Sequence, residues 1–197
     1  GLSGRARHSE VSGRTVGFVA VLVPVAGLLA LLSWALVQSE GNPGGLAVNS
    51  AFGEVSISRG PTPPLSLSLL DGESIDLDDL KGSVVMIDFW SSWCPPCIQE
   101  APVLAETYQE YADQEVEFLG IAIWDEANTI RRHIQQFGVT YPNAIDSKGR
   151  IAINYGVRGL PEKYFIDKDS QLVRKVVGPV SAVELRGIID ELLRHKS

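Results

Sequence analysis

The sequence predicts an α/β domain built on a mixed central sheet, and three features predict it. Apolar runs of strand length, Val84–Trp90 and Val116–Trp124, alternate with amphipathic stretches of helical period, the order that lays strands side by side under helices. Two later runs, Tyr164–Ile166 and Leu172–Val177, flank the polar turn 167–170 and read as a hairpin. The only two cysteines, in Trp93-Cys94-Pro95-Pro96-Cys97, stand where the first of these strands gives way to a helix.

Residues 16–37, VGFVAVLVPVAGLLALLSWALV, carry no charge. A helix of that length spans about 33 Å, enough for a hydrocarbon core. Arg5, Arg7 and Arg14 precede it against Glu10 alone, and Glu40 and Glu54 follow with no base before Arg59. The positive-inside rule then places 1–15 in the cytoplasm, 16–37 in the membrane and the rest outside. A cleaved signal peptide is the alternative, although the run is long for one and no A-x-A site follows. A lipoprotein is excluded, because no cysteine lies near the run.

Residues 38–64, rich in Gly, Ser, Asn and Pro, read as a flexible tether. The exported domain is expected over 65–197. Leu65–Leu69 alternates apolar and polar, Asp71-Gly72 marks a turn, and Ser74–Leu77 returns as a second short strand. The Asp78-Asp79 pair reads as a helix-start or turn feature. Val84–Trp90 is nearly all apolar, as a strand covered on both faces should be. A helix over about 95–112 carries Ile98, Val103, Leu104 and Tyr108, with Pro102 inside it and expected to kink it. After the strand Val116–Trp124, Ile130, Ile134 and Phe137 recur at helical spacing before Gly138, and 149–155 reads as a short helix. The last helix opens on Ser181-x-x-Glu184, a capping-box pattern, and puts Leu185, Ile188, Ile189 and Leu192 on one face.

Net charge is −7, and all but one of the 24 acidic residues lie beyond residue 39. An acidic exported surface argues against nucleic acid as a partner.

The cysteine pair carries the chemistry. Cys94 at a helix N-terminus faces unpaired N–H groups and the positive end of the dipole, which favour a thiolate. A thiolate attacks disulfides, and Cys97 one turn later can resolve the mixed disulfide. Pro95 and Pro96 fit the first helical turn without losing a hydrogen bond. Three plainer readings compete. A structural disulfide closing so short a loop stabilises weakly. A zinc site lacks a second cysteine pair, and His8, His133 and His195 have no ligand spacing. Inert core thiols sit poorly with the flanking prolines and tryptophan.

These residues carry a family resemblance over about 65–195. Phe89–Cys97 resembles the active-site strand and helix start of the thioredoxin fold, Pro102 its helix proline, Arg158-Gly159-Leu160-Pro161 the loop with its cis-proline, and Gly178 a glycine of its final hairpin. The longer span between the cysteines and Pro161, with Gly159-Leu160-Pro161-Glu162-Lys163-Tyr164-Phe165-Ile166-Asp167, is similar to the membrane-anchored TlpA/ResA/CcmG (DsbE) group. The resemblance implies a thioredoxin-like fold with an N-terminal β-hairpin and a central insertion. It also implies an extracytoplasmic thiol-disulfide oxidoreductase whose group commonly keeps the haem-attachment cysteines of apocytochrome c reduced.

On this reading Cys94 attacks and Cys97 resolves. Asp88, on the strand before the cysteines, should have a raised pKa from burial and move protons, with a hydrogen-bonded core aspartate as the alternative. Glu100 coincides with a glutamate near the cysteines of the group, and Glu100 and Glu162 would each either tune the thiol pKa or be a surface helix or loop charge. Trp93, Pro95, Pro96, Leu160, Pro161 and Glu162 are the expected substrate-contacting set, with the Leu160 backbone offered to an extended substrate strand. No metal, flavin or nucleotide cofactor is implied, the redox group being the Cys94–Cys97 disulfide itself. The partners this reading implies are protein disulfides, those of apocytochrome c among them, and a transmembrane thiol donor. The rival functions are a disulfide-introducing oxidant on the same fold, a copper-delivery module, for which the one methionine, Met86, lies in the core strand, and a thiol peroxidase.

Overall fold

The computed structural model describes residues 13–38, 47–49 and 52–195. The chain divides into two units, Gly1–Gly45 and Leu46–Ser197.

In the first unit a helix, α1, runs Gly13–Gln38 with Pro24 inside it, so it encloses the whole uncharged run. Its described side chains, those of 22–34, include Leu22, Val23, Val25, Leu28, Leu29, Leu31, Leu32 and Trp34, all exposed. That stretch is shorter than a membrane span, and among the described residues no helix is long and apolar enough to cross a membrane. The expected N-terminal segment lies, up to residue 12, outside the described residues.

Among the described residues the second unit holds eleven short and long strands and four α-helices. Strands β1 (Ala47–Val48), β2 (Gly53–Val55) and β3 (Gly60–Pro61) come first, then the hairpin β4 (Ser66–Ser68) and β5 (Ser74–Asp76). There follow β6 (Val84–Trp90), α2 (Pro95–Glu110), β7 (Val116–Ile123), α3 (Ala127–Phe137), β8 (Asn143–Asp146) and α4 (Arg150–Tyr155). The chain closes with β9 (Gly159–Leu160), β10 (Glu162–Ile166), β11 (Gln171–Val177) and α5 (Ala182–Arg194). The main sheet has the order β2-β11-β10-β6-β7-β8, with β3 also on β11. β6, β7 and β8 are parallel, whereas β10 and β11 run antiparallel. The sheet is therefore mixed, as the element order requires.

β6 is central, and all seven of its residues are buried. Its alternation feeds two cores. Val85, Ile87 and Phe89 join the cluster that holds Cys94, Cys97, Ile130, Tyr155 and Leu160. Val84 and Met86 join the one that holds Leu104, Phe118, Leu185, Ile188 and Ile189. Period-2 geometry thus puts Asp88 on the second face, beneath α2 and α5. The helix ends follow local rules. Cys94 is the N-cap of α2 with prolines in its first turn, and the helix continues through Pro102 to Glu110. Gly138 ends α3 in the left-handed region, and the Ser181 hydroxyl accepts from the Glu184 N–H at the start of α5. The Asp78-Asp79 pair sits in a 3₁₀ turn, Leu77–Leu80, capped reciprocally by Asp76 and Asp79.

One expectation is corrected. The 38–64 stretch is not all tether, since β1, β2 and β3 lie within it and pair with β9 and β11. Strands of two or three residues pair through backbone alone, so a Gly- and Pro-rich composition does not exclude them. Pro61 sits at an edge, where a missing N–H is tolerated. Arg59 secures the segment to Asp167 at 2.7 Å, and the Thr62 hydroxyl donates to Ser170 O at 2.8 Å. The compact unit therefore begins near residue 46, not 65. β8 carries no local strand signal, because Asn143 and Asp146 after Pro142 have the composition of a loop. Both turn out to be committed internally. The Trp90 Nε1–H donates to Asn143 Oδ1 at 3.0 Å, and Asp146 accepts from the Arg150 and Ala152 N–H groups at the start of α4.

β7 can approach this pair because residue 120 is glycine. A Cβ there would collide with Asn143 Oδ1 and meet Trp90 Nε1 at 3.0 Å. Gly120→Ala is expected to lower unfolding free energy by about 1–3 kcal/mol, read by urea denaturation. An unchanged midpoint would mean that Asn143 swings aside without cost.

Candidate active site

Cys94 and Cys97 are joined as a disulfide at the mouth of α2. The loop leading into them is pinned from below. The Ser91 hydroxyl donates to Ile123 O at 2.6 Å, and the Ser92 N–H donates to Asp125 Oδ2 at 2.6 Å. The Trp93 indole N–H reaches Trp124 O at 3.3 Å, leaving its ring at the rim with 46% exposed. The Cys94 N–H donates to Ser91 O, and the Cys94 carbonyl accepts from Ile98 N–H as the helix begins. Pro95 is exposed and Pro96 half-buried. These anchors hold the two sulfurs on a rigid strand-to-helix turn, as dithiol chemistry needs.

Under the disulfide lies a group that the motifs did not reveal. Lys163, on β10, stands opposite Asp88 of β6 in the antiparallel register and has no exposed surface. Its ammonium lies 2.6 Å from Glu100 Oε1 and 3.3 Å from Asp88 Oδ1. It also donates to Gly178 O at 3.3 Å. Glu100 Oε2 accepts from the Val180 N–H at 3.0 Å. A buried lysine is stable only when paired, and the two carboxylates pair it. No local signal in the sequence marks it, since the neighbouring strand residue, Glu162, is charged as well.

Two carboxyls facing one cation cannot both ionise easily away from water. Burial pushes the Glu100 carboxyl up to about 7, against the pull of Lys163, and Asp88 is raised mainly for the same reason. Glu100 has two donors. Asp88 Oδ1 has none aligned for a hydrogen bond, the Lys163 ammonium standing at ion-pair distance only. Asp88 Oδ1, with no donor of its own, is therefore the oxygen open to take up a proton. The carboxylate partners raise the Lys163 ammonium in spite of its burial.

Asp88 and Cys97 line one small cavity of about 10 Å³, together with Trp90, Ala101, Leu104, His133, Val139 and Tyr141, room at the lower limit for one water. His133 is buried against Trp90 and Phe137, so a histidine remote in sequence is brought beside the resolving cysteine. Burial lowers its pKa, favouring the neutral ring. Among the described residues no three His, Cys, Asp or Glu side chains converge as metal ligands.

The Leu160–Pro161 bond is cis, as the loop resemblance implies. Leu160 shares the buried cluster of the two cysteines, and Pro161 is buried too. Glu162 is not a surface charge, and its carboxylate is not free for substrate. Oε1 accepts from the Arg158 and Gly159 N–H groups, while Oε2 takes the Tyr164 hydroxyl at 3.0 Å and the Lys175 ammonium at 2.7 Å. Four internal partners make it the brace of the cis-proline loop. The expected set thus resolves into Cys94, Cys97, Asp88 and Glu100 at the reacting centre, Trp93, Pro95 and Pro96 at its rim, Leu160 and Pro161 beside it, and Glu162 behind it.

Residues 59–175 match the AhpC/TSA family. The chain is 33% identical over 130 residues to thiol-disulfide oxidoreductase ResA of Bacillus thuringiensis, covering 66% of this chain and 75% of that one. Its structure superposes on a thiol:disulfide interchange protein of the thioredoxin family from Chlorobium tepidum with TM-score 0.64 at 25% identity, covering 71% of this chain and 99% of that one. A secreted Mycobacterium tuberculosis disulfide oxidoreductase homologous to E. coli DsbE gives TM-score 0.60 at 27% identity, covering 65% of this chain and 96% of that one. The chain belongs to the AhpC/TSA family, has the thioredoxin-like fold, and is a thiol-disulfide oxidoreductase of the ResA/DsbE type.

The buried carboxyls make stability pH-dependent in a defined direction. Glu100 goes from 4.5 unfolded to about 7 folded, so the fold favours its protonated form. The resulting stability is complete below 4.5 and is lost as pH rises through 7, on the order of 3 kcal/mol in all. Urea denaturation of the oxidised protein should therefore show lower stability at pH 8 than at pH 5, with Glu100→Gln flattening the difference. Lys163→Met, which strands the carboxyls, should cost about 3–5 kcal/mol at pH 8 and less at pH 5. Equal losses at both pH values would contradict the raised pKa values of the two carboxyls.

Proposed function

We propose that this oxidoreductase works as a reductant of protein disulfides outside the cytoplasm, held to the membrane by the helix over 16–37. The observation that carries the reading is the Cys94–Cys97 pair at a helix N-terminus directly above a buried acid pair that shares one cation. Cys94 thiolate attacks a substrate disulfide, forming a mixed disulfide and releasing one substrate thiolate. Cys97 loses its proton toward Asp88 across the shared cavity, attacks Cys94 Sγ and releases the second substrate thiol. The substrate gains two electrons and two protons, and the protein returns to its disulfide form. A thiol donor in the membrane then resupplies both.

Electrostatics supports the reducing direction. Oxidants of this chemistry are strong because their reduced form is stabilised. Here the one cation beneath Cys97 is already bound by Glu100 and Asp88, so it is not free to stabilise a thiolate there, and the dithiol lacks that stabilisation. Anchoring and export are supported by the uncharged run, the arginines before it and the exposed apolar side chains of α1. The ResA-type resemblance makes the haem-attachment disulfide of apocytochrome c the foremost substrate.

Asp88→Asn should leave attack by Cys94 near wild type and slow resolution by about 10²-fold. Single-turnover reduction of a peptide containing a Cys-x-x-Cys-His disulfide would then accumulate the mixed disulfide. Resolution at the wild-type rate from pH 5 to 9 would remove Asp88 from the proton path.

A further inference from the structure

The groups that an incoming disulfide must reach are all covered. Cys94 and Leu160 have no exposed surface, and Gly159 and Pro161 are buried as well. Yet the edge of β9 does carry an extended strand, and it is the chain's own. β1 pairs with it in parallel, Ala47 opposite Gly159 and Val48 opposite Leu160. The Asn49 N–H donates to Leu160 O at 2.9 Å, and the Asn49 side-chain amide donates to Pro161 O at 2.9 Å. Pro161 O also accepts from Gly178 N–H. Phe52 packs over Gly178, where any side chain would collide with its ring. From there the chain joins β11 through β2.

We propose that residues 47–49 are a strap seated where a substrate strand binds, and that an extended peptide beside the target disulfide must displace it. The proposal rests on the reading of Cys94 as the attacking thiol and adds the control of access to it. Strand addition at an edge is recognised through backbone groups, so two extended segments compete for Leu160 O whatever their side chains. The strap is built to yield. Among the described residues two pair with β9, Val48 is partly exposed, and short exposed pairings open far below the free energy of global unfolding. The Phe52 contact and β2 stay in place when it lifts, so the strap can return once product leaves.

The test uses the full chain, reduced, as wild type, Asn49→Ala and Asn49→Pro. The alanine variant removes the side-chain bond to Pro161 O, and the proline variant also removes the N–H donated to Leu160 O. Alkylation of Cys94 by iodoacetamide and attack on a peptide disulfide should both accelerate, about tenfold or more in Asn49→Pro and less in Asn49→Ala, with the reduction potential unchanged. A second measurement leaves residue 49 intact. In Cys97→Ser trapped as a mixed disulfide with a cysteine peptide, hydrogen exchange of the Asn49 amide should quicken about tenfold over the free protein. Equal rates in all three chains, with the Asn49 amide still protected in the trapped complex, would overturn the strap. The alkylation reading does not depend on the direction of exchange, so an oxidising potential would sink the reductant and leave the strap standing.

Discussion

A lysine ammonium with no exposed surface, 2.6 Å from one carboxylate and 3.3 Å from another, is tolerable only where the surrounding fold fixes all three groups. Each comes from a different element. Asp88 and Lys163 are register partners on β6 and β10, Glu100 descends from the second turn of α2, and the N–H of Val180 before α5 completes the set. The cation therefore locks the active-site helix to the centre of the sheet and to the last helix. It also sets the charge beneath the disulfide. Without it the two carboxyls would both be driven to protonate, and with two cations both would ionise. One cation between two acids leaves a proton that can move, next to a cavity that Cys97 lines.

The remaining parts of the site serve that arrangement. The Trp90–Asn143 bond and the bare backbone of Gly120 bring β8 close under β6 and β7. Glu162 holds the cis-proline loop through four internal contacts, which fixes where Leu160 and Pro161 stand relative to the cysteines. Two carboxylates close to functional motifs, Glu100 three residues after Cys97 and Glu162 next to Pro161, thus do opposite things. Glu100 takes part in the electrostatics of the dithiol, whereas Glu162 is consumed by backbone donors and a lysine.

Much of this was legible in the chain. The apolar continuity of Val84–Trp90 marked a strand covered on both faces, and Cys94-Pro95-Pro96-Cys97 marked a helix start with a dithiol. Asp88 stood out because a carboxyl on such a strand must be buried. What escaped detection depended on long-range pairing. Lys163 lies 63 residues from Glu100 in sequence, and nothing local distinguishes a buried lysine from one that reaches solvent. β8 carries its polar residues for partners in β6 and α4, so its composition imitates a loop. β1, β2 and β3 are held by backbone hydrogen bonds and by Arg59, features that Gly- and Pro-rich composition conceals.

The central claim is that this site donates electrons, and the reduction potential of the Cys94–Cys97 pair tests it most directly. Equilibration of the full chain with a thiol redox buffer should give a value at or below about −220 mV, within the thioredoxin-to-glutaredoxin range. A value near about −120 mV would identify an oxidant that hands its disulfide to substrates, and would contradict the reductant account.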